Sequence, residues 1–131
     1  MKHALLLSLM ILIPNLSYAQ AAPELTTVVQ NDENENLLAD SFSKTLYVFD
    51  VDQGSGTSNC TGDCAEVWPP YVLTSEEAAT LQAPLGSVAR QNGSLQLTHN
   101  DRPVYTYIFD RVKGDEKGDG LGGVWHYIEM K

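Results

Sequence analysis

The chain has 131 residues, with 8 Lys+Arg against 17 Asp+Glu, a formal net charge of −9, and two cysteines. Its length fits one domain, and so acidic a surface repels nucleic acid and anionic lipid. Metal ions, cationic ligands and basic protein faces remain compatible with it.

Taken in chain order, residues 1–19 read as a secretory signal: Met1-Lys2-His3 is a short basic start, Ala4 to Leu16 an apolar run and Ser17-Tyr18-Ala19 a small-x-small cleavage site. The apolar run is about 13 residues and contains Pro14, too short for a hydrocarbon core that needs roughly 20. No cysteine follows it to receive a lipid. The expectation is an exported protein, periplasmic or secreted, not lipid-anchored and without a transmembrane helix once the signal is removed. Cleavage takes away one lysine and no acid, leaving a net charge of about −10.

Residues 20–36 form a polar N-terminal segment that offers one short strand, around Thr26-Thr27-Val28-Val29, and a turn in "NDENEN". Residues 37–131 alternate apolar and polar positions at period two with turn signals between the runs, which predicts a mostly β domain. Strands are expected in "LLAD", "TLYVFDV", "SVAR", "SLQLT", "PVYTYIFD" and "GVWHYIEM". The turns between them are "SFSK", "QNGS" with its Asn92-Gly93 hairpin signal, and "HNDR" before Pro103. One or two short helices fit: Asp63 to Val67, stopped by Pro69 and Pro70, and "TSEEAATL", capped by Thr74 or Ser75.

Aligning the two longest strands on their tyrosines exposes a repeat. Tyr47, Phe49 and Asp52 lie over Tyr105, Tyr107 and Asp110, each a Tyr-x-aromatic-x-x-Asp, and Trp68 and Trp125 follow at nearly equal distances. A hairpin precedes each copy, so the domain divides into two related halves, about 37–71 and 87–127, each a β-hairpin unit with a polar loop and a tryptophan. In an extended strand Tyr47, Phe49 and Val51 share a face, as do Tyr105, Tyr107 and Phe109, and such faces make the core of a small β domain. Asp52 and Asp110 fall at strand ends, where a carboxylate accepts backbone N–H bonds and fixes the following loop.

With "NCTGDCAEVWPP" between "YVFDVD" and "YTYIFD", and "GDGLGGVWH" near the end, the chain resembles the secreted-repeat family of bacterial exported proteins and lipoproteins, described by a tandem Tyr-x-aromatic-x-x-Asp motif. The resemblance covers about residues 36–127. It implies a small exported domain with no agreed reaction, and it carries no catalytic residue over to this chain. Unlike lipoprotein members, the chain lacks a lipidation cysteine.

Cys60 and Cys64 allow three chemistries. In an exported protein two cysteines most often pair, and positions four apart on a helical turn place their Cα atoms roughly 6 Å apart, within disulfide reach. Two thiolates on one turn also suit a soft ion such as copper, with His99 or His126 completing the set. A cycling redox pair is the third. No cofactor is required by the sequence.

Other motifs are incomplete. "DVDQGSG" begins like a Ca²⁺ loop, but Gly54 and Thr61 stand where ligands belong. "FDRVKGDEKGDGLGG" reads as a solvated loop, and Trp68-Pro69-Pro70-Tyr71 as a helix stop more than a polyproline ligand. There is no Gly-x-Ser-x-Gly elbow, His-Glu-x-x-His or phosphate loop, so catalytic residues are none. The reading is a non-enzymatic binding or interaction module of the cell envelope, whose partner is an envelope protein or a small ligand. The alternative is a metal-handling or thiol-redox protein.

Overall fold

The computed structural model describes residues 4, 8–12 and 24–131; the signal segment expected over 1–19 lies mostly outside the described residues. Among the described residues, eight strands and two short helices make one small, mostly β domain. In order they are β1 (Thr26–Gln30), β2 (Asn36–Asp40), β3 (Tyr47–Phe49), α1 (Asp63–Val67), β4 (Val72–Leu73), α2 (Ser75–Ala79), β5 (Leu85–Ala89), β6 (Leu95–His99), β7 (Arg102–Tyr105) and β8 (Trp125–Tyr127). No helix among the described residues is long and apolar enough to cross a membrane.

Local chemistry explains the hairpins. Between β1 and β2, the Asn31 side-chain oxygen accepts from the amides of Glu33 and Glu35, and Asn34 takes the left-handed conformation that asparagine tolerates. Between β6 and β7, Asn100 and Asp101 both have positive φ, as a two-residue type I′ turn demands. Helix α2 starts at Thr74, whose hydroxyl accepts from the Glu77 amide while the Glu77 carboxylate accepts from the Thr74 amide.

The β1–β2 hairpin forms a two-stranded sheet, and the larger sheet runs β4-β6-β7-β3-β8, with β5 on the outer side of β6. Antiparallel pairing places Tyr47 opposite Tyr105 at its centre. Around that pair the contacts repeat when the halves are exchanged. Tyr47 also pairs with Tyr127, as Tyr105 bridges to Pro70. The Ile128 amide donates to Leu46 O and the Leu38 amide to Ile128 O; in the other half the Tyr71 amide donates to Val104 O and the Leu97 amide to Tyr71 O.

Strand alternation splits the interior in two. Leu46, Val48 and Val104 point to one side, into an aliphatic core with Leu38, Leu73 and Leu97. Tyr47 and Tyr105 point to the other, into an aromatic core with Trp68, Trp125 and Cys60. The tyrosine strands are shorter than the sequence suggests. After Phe49 the chain makes a single 3₁₀ turn at Asp50–Asp52, and after Tyr105 the amides of Thr106 and Ile108 bond to the carbonyls of Pro69 and Val67 instead of to β3. Val51 and Phe109 therefore leave their expected faces and are solvent-exposed. The two-residue β4 was not expected.

Candidate functional site

The repeated motifs converge on one buried centre, and they do so crosswise. The Tyr47 hydroxyl donates to Asp110 Oδ2 at 2.6 Å, and the Tyr105 hydroxyl donates to Asp52 Oδ2 at 2.6 Å. Each tyrosine of one half thus binds the aspartate of the other. Such short bonds are typical of a hydroxyl on a carboxylate. The second oxygen of each carboxylate takes a backbone amide in the loop that follows: Asp52 Oδ1 accepts from Asn59, at 2.7 Å, and Asp110 Oδ1 from Lys117, at 2.9 Å.

Burial and the adjacent carboxylates push both phenols up, Tyr105 to about 12 and Tyr47 further. Burial also raises Asp110, against the opposing pull of the Tyr47 hydroxyl and the Lys117 amide. The two carboxylates are almost fully enclosed, at 4 % exposure for Asp52 and 5 % for Asp110.

Beside these pairs stand four rings in a column. Phe49 stacks on Trp125 with centroids 4.2 Å apart, Trp125 on Trp68 at 3.8 Å and 2°, and Trp68 on Tyr107 at 4.3 Å. Tyr47 meets Trp68 edge-on at 5.3 Å, and Tyr105 meets Trp125 edge-on at 5.2 Å. Stacked and edge-on rings at these spacings attract beyond their burial. All eight motif residues named from the sequence fall in or against this centre.

Cys60 and Cys64 are joined as a disulfide, with Cα atoms 5.3 Å apart. Cys60 is fully buried in the aromatic core and Cys64 packs at its edge. The histidines lie elsewhere. His99 is the last residue of β6 rather than a turn residue, and burial lowers its pKa. With His126 and Arg102 it lines a separate cavity of about 260 Å³. His126 Nε2 contacts Asp50 Oδ2 at 2.8 Å, and that contact lowers the Asp50 carboxyl. Among the described residues no three His, Cys, Asp or Glu are grouped to hold a metal ion.

Other side chains that fasten the loops were missed in the sequence. Arg90 donates to Ser58 Oγ, Cys60 O and Gln96 Oε1, tying the first half's loop to the second half's hairpin. Asn31 donates to Glu116, tying the second half's loop to the β1–β2 hairpin. Asn31 and Arg90 each follow the first strand of a hairpin, so the alignment of the halves could have paired them. Ser58 lies within 2.6 Å of the Tyr105 hydroxyl, and the Gly118 amide donates to the Tyr47 hydroxyl at 3.2 Å.

Fold and centre together define a tandem-repeat β domain whose halves lock through crossed tyrosine–aspartate pairs around stacked tryptophans. The chain belongs to the family described as a secreted repeat of unknown function, which matches it twice, over residues 29–71 and 86–129. The family's description as secreted agrees with export. No curated protein and no solved structure matches the chain.

Proposed function

We infer that the protein is a non-enzymatic binding or interaction module of the cell envelope, exported and not lipid-anchored, with the aromatic centre as scaffold and the two long loops as contact surface. The observation that carries this is the commitment of the buried carboxylates. Asp52 and Asp110 each hold a tyrosine hydroxyl with one oxygen and a backbone amide with the other, so neither has an oxygen left to act as acid or base on a bound substrate.

Surface chemistry favours the loops. Of the eight large hydrophobic residues exposed between residues 24 and 131, five follow the tyrosine strands: Val51, Ile108, Phe109, Val112 and Leu121. Exposed apolar side chains on loops held by a rigid scaffold mark contact sites. The acids among them suit a partner with a basic rim.

The test is retention of envelope proteins on the immobilised native domain, compared with Phe109→Ser/Val112→Ser and, as control, Phe42→Ser on the β2–β3 turn. Retention lost in the first variant and kept in the second supports the reading. Equal retention by both variants overturns it. The alternative, copper handling or thiol redox at Cys60 and Cys64, has one observation in its favour, the partial exposure of Cys64. Thiol counting with elemental analysis separates the two: free thiols with stoichiometric copper would replace the binding reading.

A further inference from the structure

The aromatic centre has more order than packing requires. Three oxidisable rings, Tyr107, Trp68 and Trp125, stack in sequence with centroids 4.3 and 3.8 Å apart. The partly exposed Tyr107 opens one end of the column. At the other end the ring is Phe49, which is much harder to oxidise than tyrosine or tryptophan. The column therefore has one redox-competent end.

Electron transfer between rings in van der Waals contact is fast, so a hole on Trp68 or Trp125 is shared between them, while Tyr107, whose hydroxyl has no carboxylate partner among the described residues, passes it on without trapping it. What fixes it is proton loss. A phenol radical cation is a very strong acid, and tyrosine is oxidised readily only when a base takes its proton as the electron leaves. Tyr47 and Tyr105 each touch a tryptophan of the column edge-on and each donate to a carboxylate at 2.6 Å. Cys60 and Cys64 are joined as a disulfide, so no thiol competes in the aromatic core.

We propose that Tyr107, Trp68 and Trp125 form an electron-transfer column that carries a one-electron oxidising equivalent from the surface to the Tyr47–Asp110 and Tyr105–Asp52 pairs. The oxidant is a one-electron-accepting radical or metal complex, which is reduced as it takes an electron from the column. The indole radical cation then takes an electron from the tyrosine, while the phenolic proton moves along the existing hydrogen bond. Indole radical cation, phenol and carboxylate become indole, phenoxyl radical and carboxylic acid, with charge conserved. Tyr47 is the preferred sink because its ring lies 6.3 Å from Tyr107 at the open end, and burial raises its proton acceptor Asp110 above the usual carboxylate range. This activity goes beyond partner binding by the loops and does not depend on it.

The chain has two tryptophans and both are in the column, so ultraviolet photo-oxidation of tryptophan places the hole there directly. Transient absorption of the native chain, with a cobalt(III) ammine as irreversible electron acceptor, should show indolyl radical replaced by phenoxyl. The step should be first-order, independent of protein concentration and slower in D₂O. Tyr47→Phe should divert the hole to Tyr105. Tyr47→Phe/Tyr105→Phe, which keeps the rings and removes the hydroxyls, should abolish the fast phenoxyl signal and prolong the indolyl radical. Fast phenoxyl formation persisting in a folded double variant would overturn the assigned sinks. If the double variant fails to fold by circular dichroism, the native chain decides: decay that depends on concentration, or lacks a solvent isotope effect, overturns the proposal.

Discussion

After Asp52 the chain travels to Trp68 through a disulfide, and after Asp110 it travels to Trp125 through glycines and acids. The two loops start alike, each with an aspartate fastening an amide seven residues on. They then diverge. The first is closed by Cys60–Cys64 and clamped by Arg90. The second is closed by Asp115, which accepts from the amides of Arg111 and Val112, by Asn31 on Glu116, and by Asp119, which accepts from the Tyr127 amide. Gly118 follows the fastened Lys117 as Cys60 follows Asn59, and a Cβ there would meet the Trp68 ring at 2.5 Å. One loop is secured by sulfur and the other by carboxylates and close backbone approach. Since both deliver a tryptophan to the same stack, the disulfide serves its own loop and is not a requirement of the shared design.

The severest way to break the comparison is to remove a tryptophan. Trp68→Ala and Trp125→Ala each empty the middle of the column and should cost about 4 kcal/mol, read from chemical denaturation. Near-equal losses are expected because each ring stacks on the other and on one outer ring. A much smaller loss at Trp125 would show that the second half is not an equal partner.

Tyr47→Phe and Tyr105→Phe come next. Each leaves a buried carboxylate oxygen without its hydroxyl and should cost about 2 kcal/mol. If the crossing holds in solution, each substitution loosens the loop of the opposite half. Hydrogen exchange should show it: faster exchange at the Lys117 amide in Tyr47→Phe and at the Asn59 amide in Tyr105→Phe.

That crossing is also where sequence reading stopped. The repeat was legible because Tyr, aromatic, Asp and Trp recur in the same order with a hairpin before each. The hairpins were legible because Asn92-Gly93 and Asn100-Asp101 are turn formers with the backbone freedom the turns use. Which tyrosine binds which aspartate was not read, although one signal was available. Five residues of extended chain span about 16 Å, beyond a tyrosine's reach, so Tyr47 and Asp52 could not pair within their own half. The strand ends at Phe49 and Tyr105 escaped because residues 106–108 bond to Val67 and Pro69, contacts set by tertiary packing and not by propensity. The ring column was hidden for the same reason: period two places Phe49 and Tyr107 on a face but does not say what stacks there.

Cys60→Ala/Cys64→Ala should cost about 2 kcal/mol, the loop-closure value for so short a loop, again from chemical denaturation. The Asp52–Asn59 bond and the Arg90 contacts remain, so the aromatic stack should persist in near-ultraviolet circular dichroism. Collapse of that signal would make the disulfide essential to the centre and end the equivalence of the loops.

Alkali is the mildest perturbation and the one that separates the two phenols. Free tyrosine ionises near pH 10, whereas burial and a carboxylate partner raise Tyr105 to about 12 and Tyr47 further. The folded state holds these protons more tightly than the unfolded state. Their contribution is therefore complete below about pH 10 and is lost as pH rises through the folded values. Denaturation midpoints should fall from pH 10 upward, and the tyrosinate absorbance of the folded chain should rise in stages. Tyr127 and Tyr71 are also raised, by the Glu35 contact and by burial respectively, so late ionisation alone does not identify the centre. The difference between native chain and Tyr105→Phe does: it should isolate a component near pH 12 and leave a later one for Tyr47. A missing component with a midpoint near pH 10 would mean that Tyr105 is not held by Asp52 in solution, and that only one of the two crossings closes.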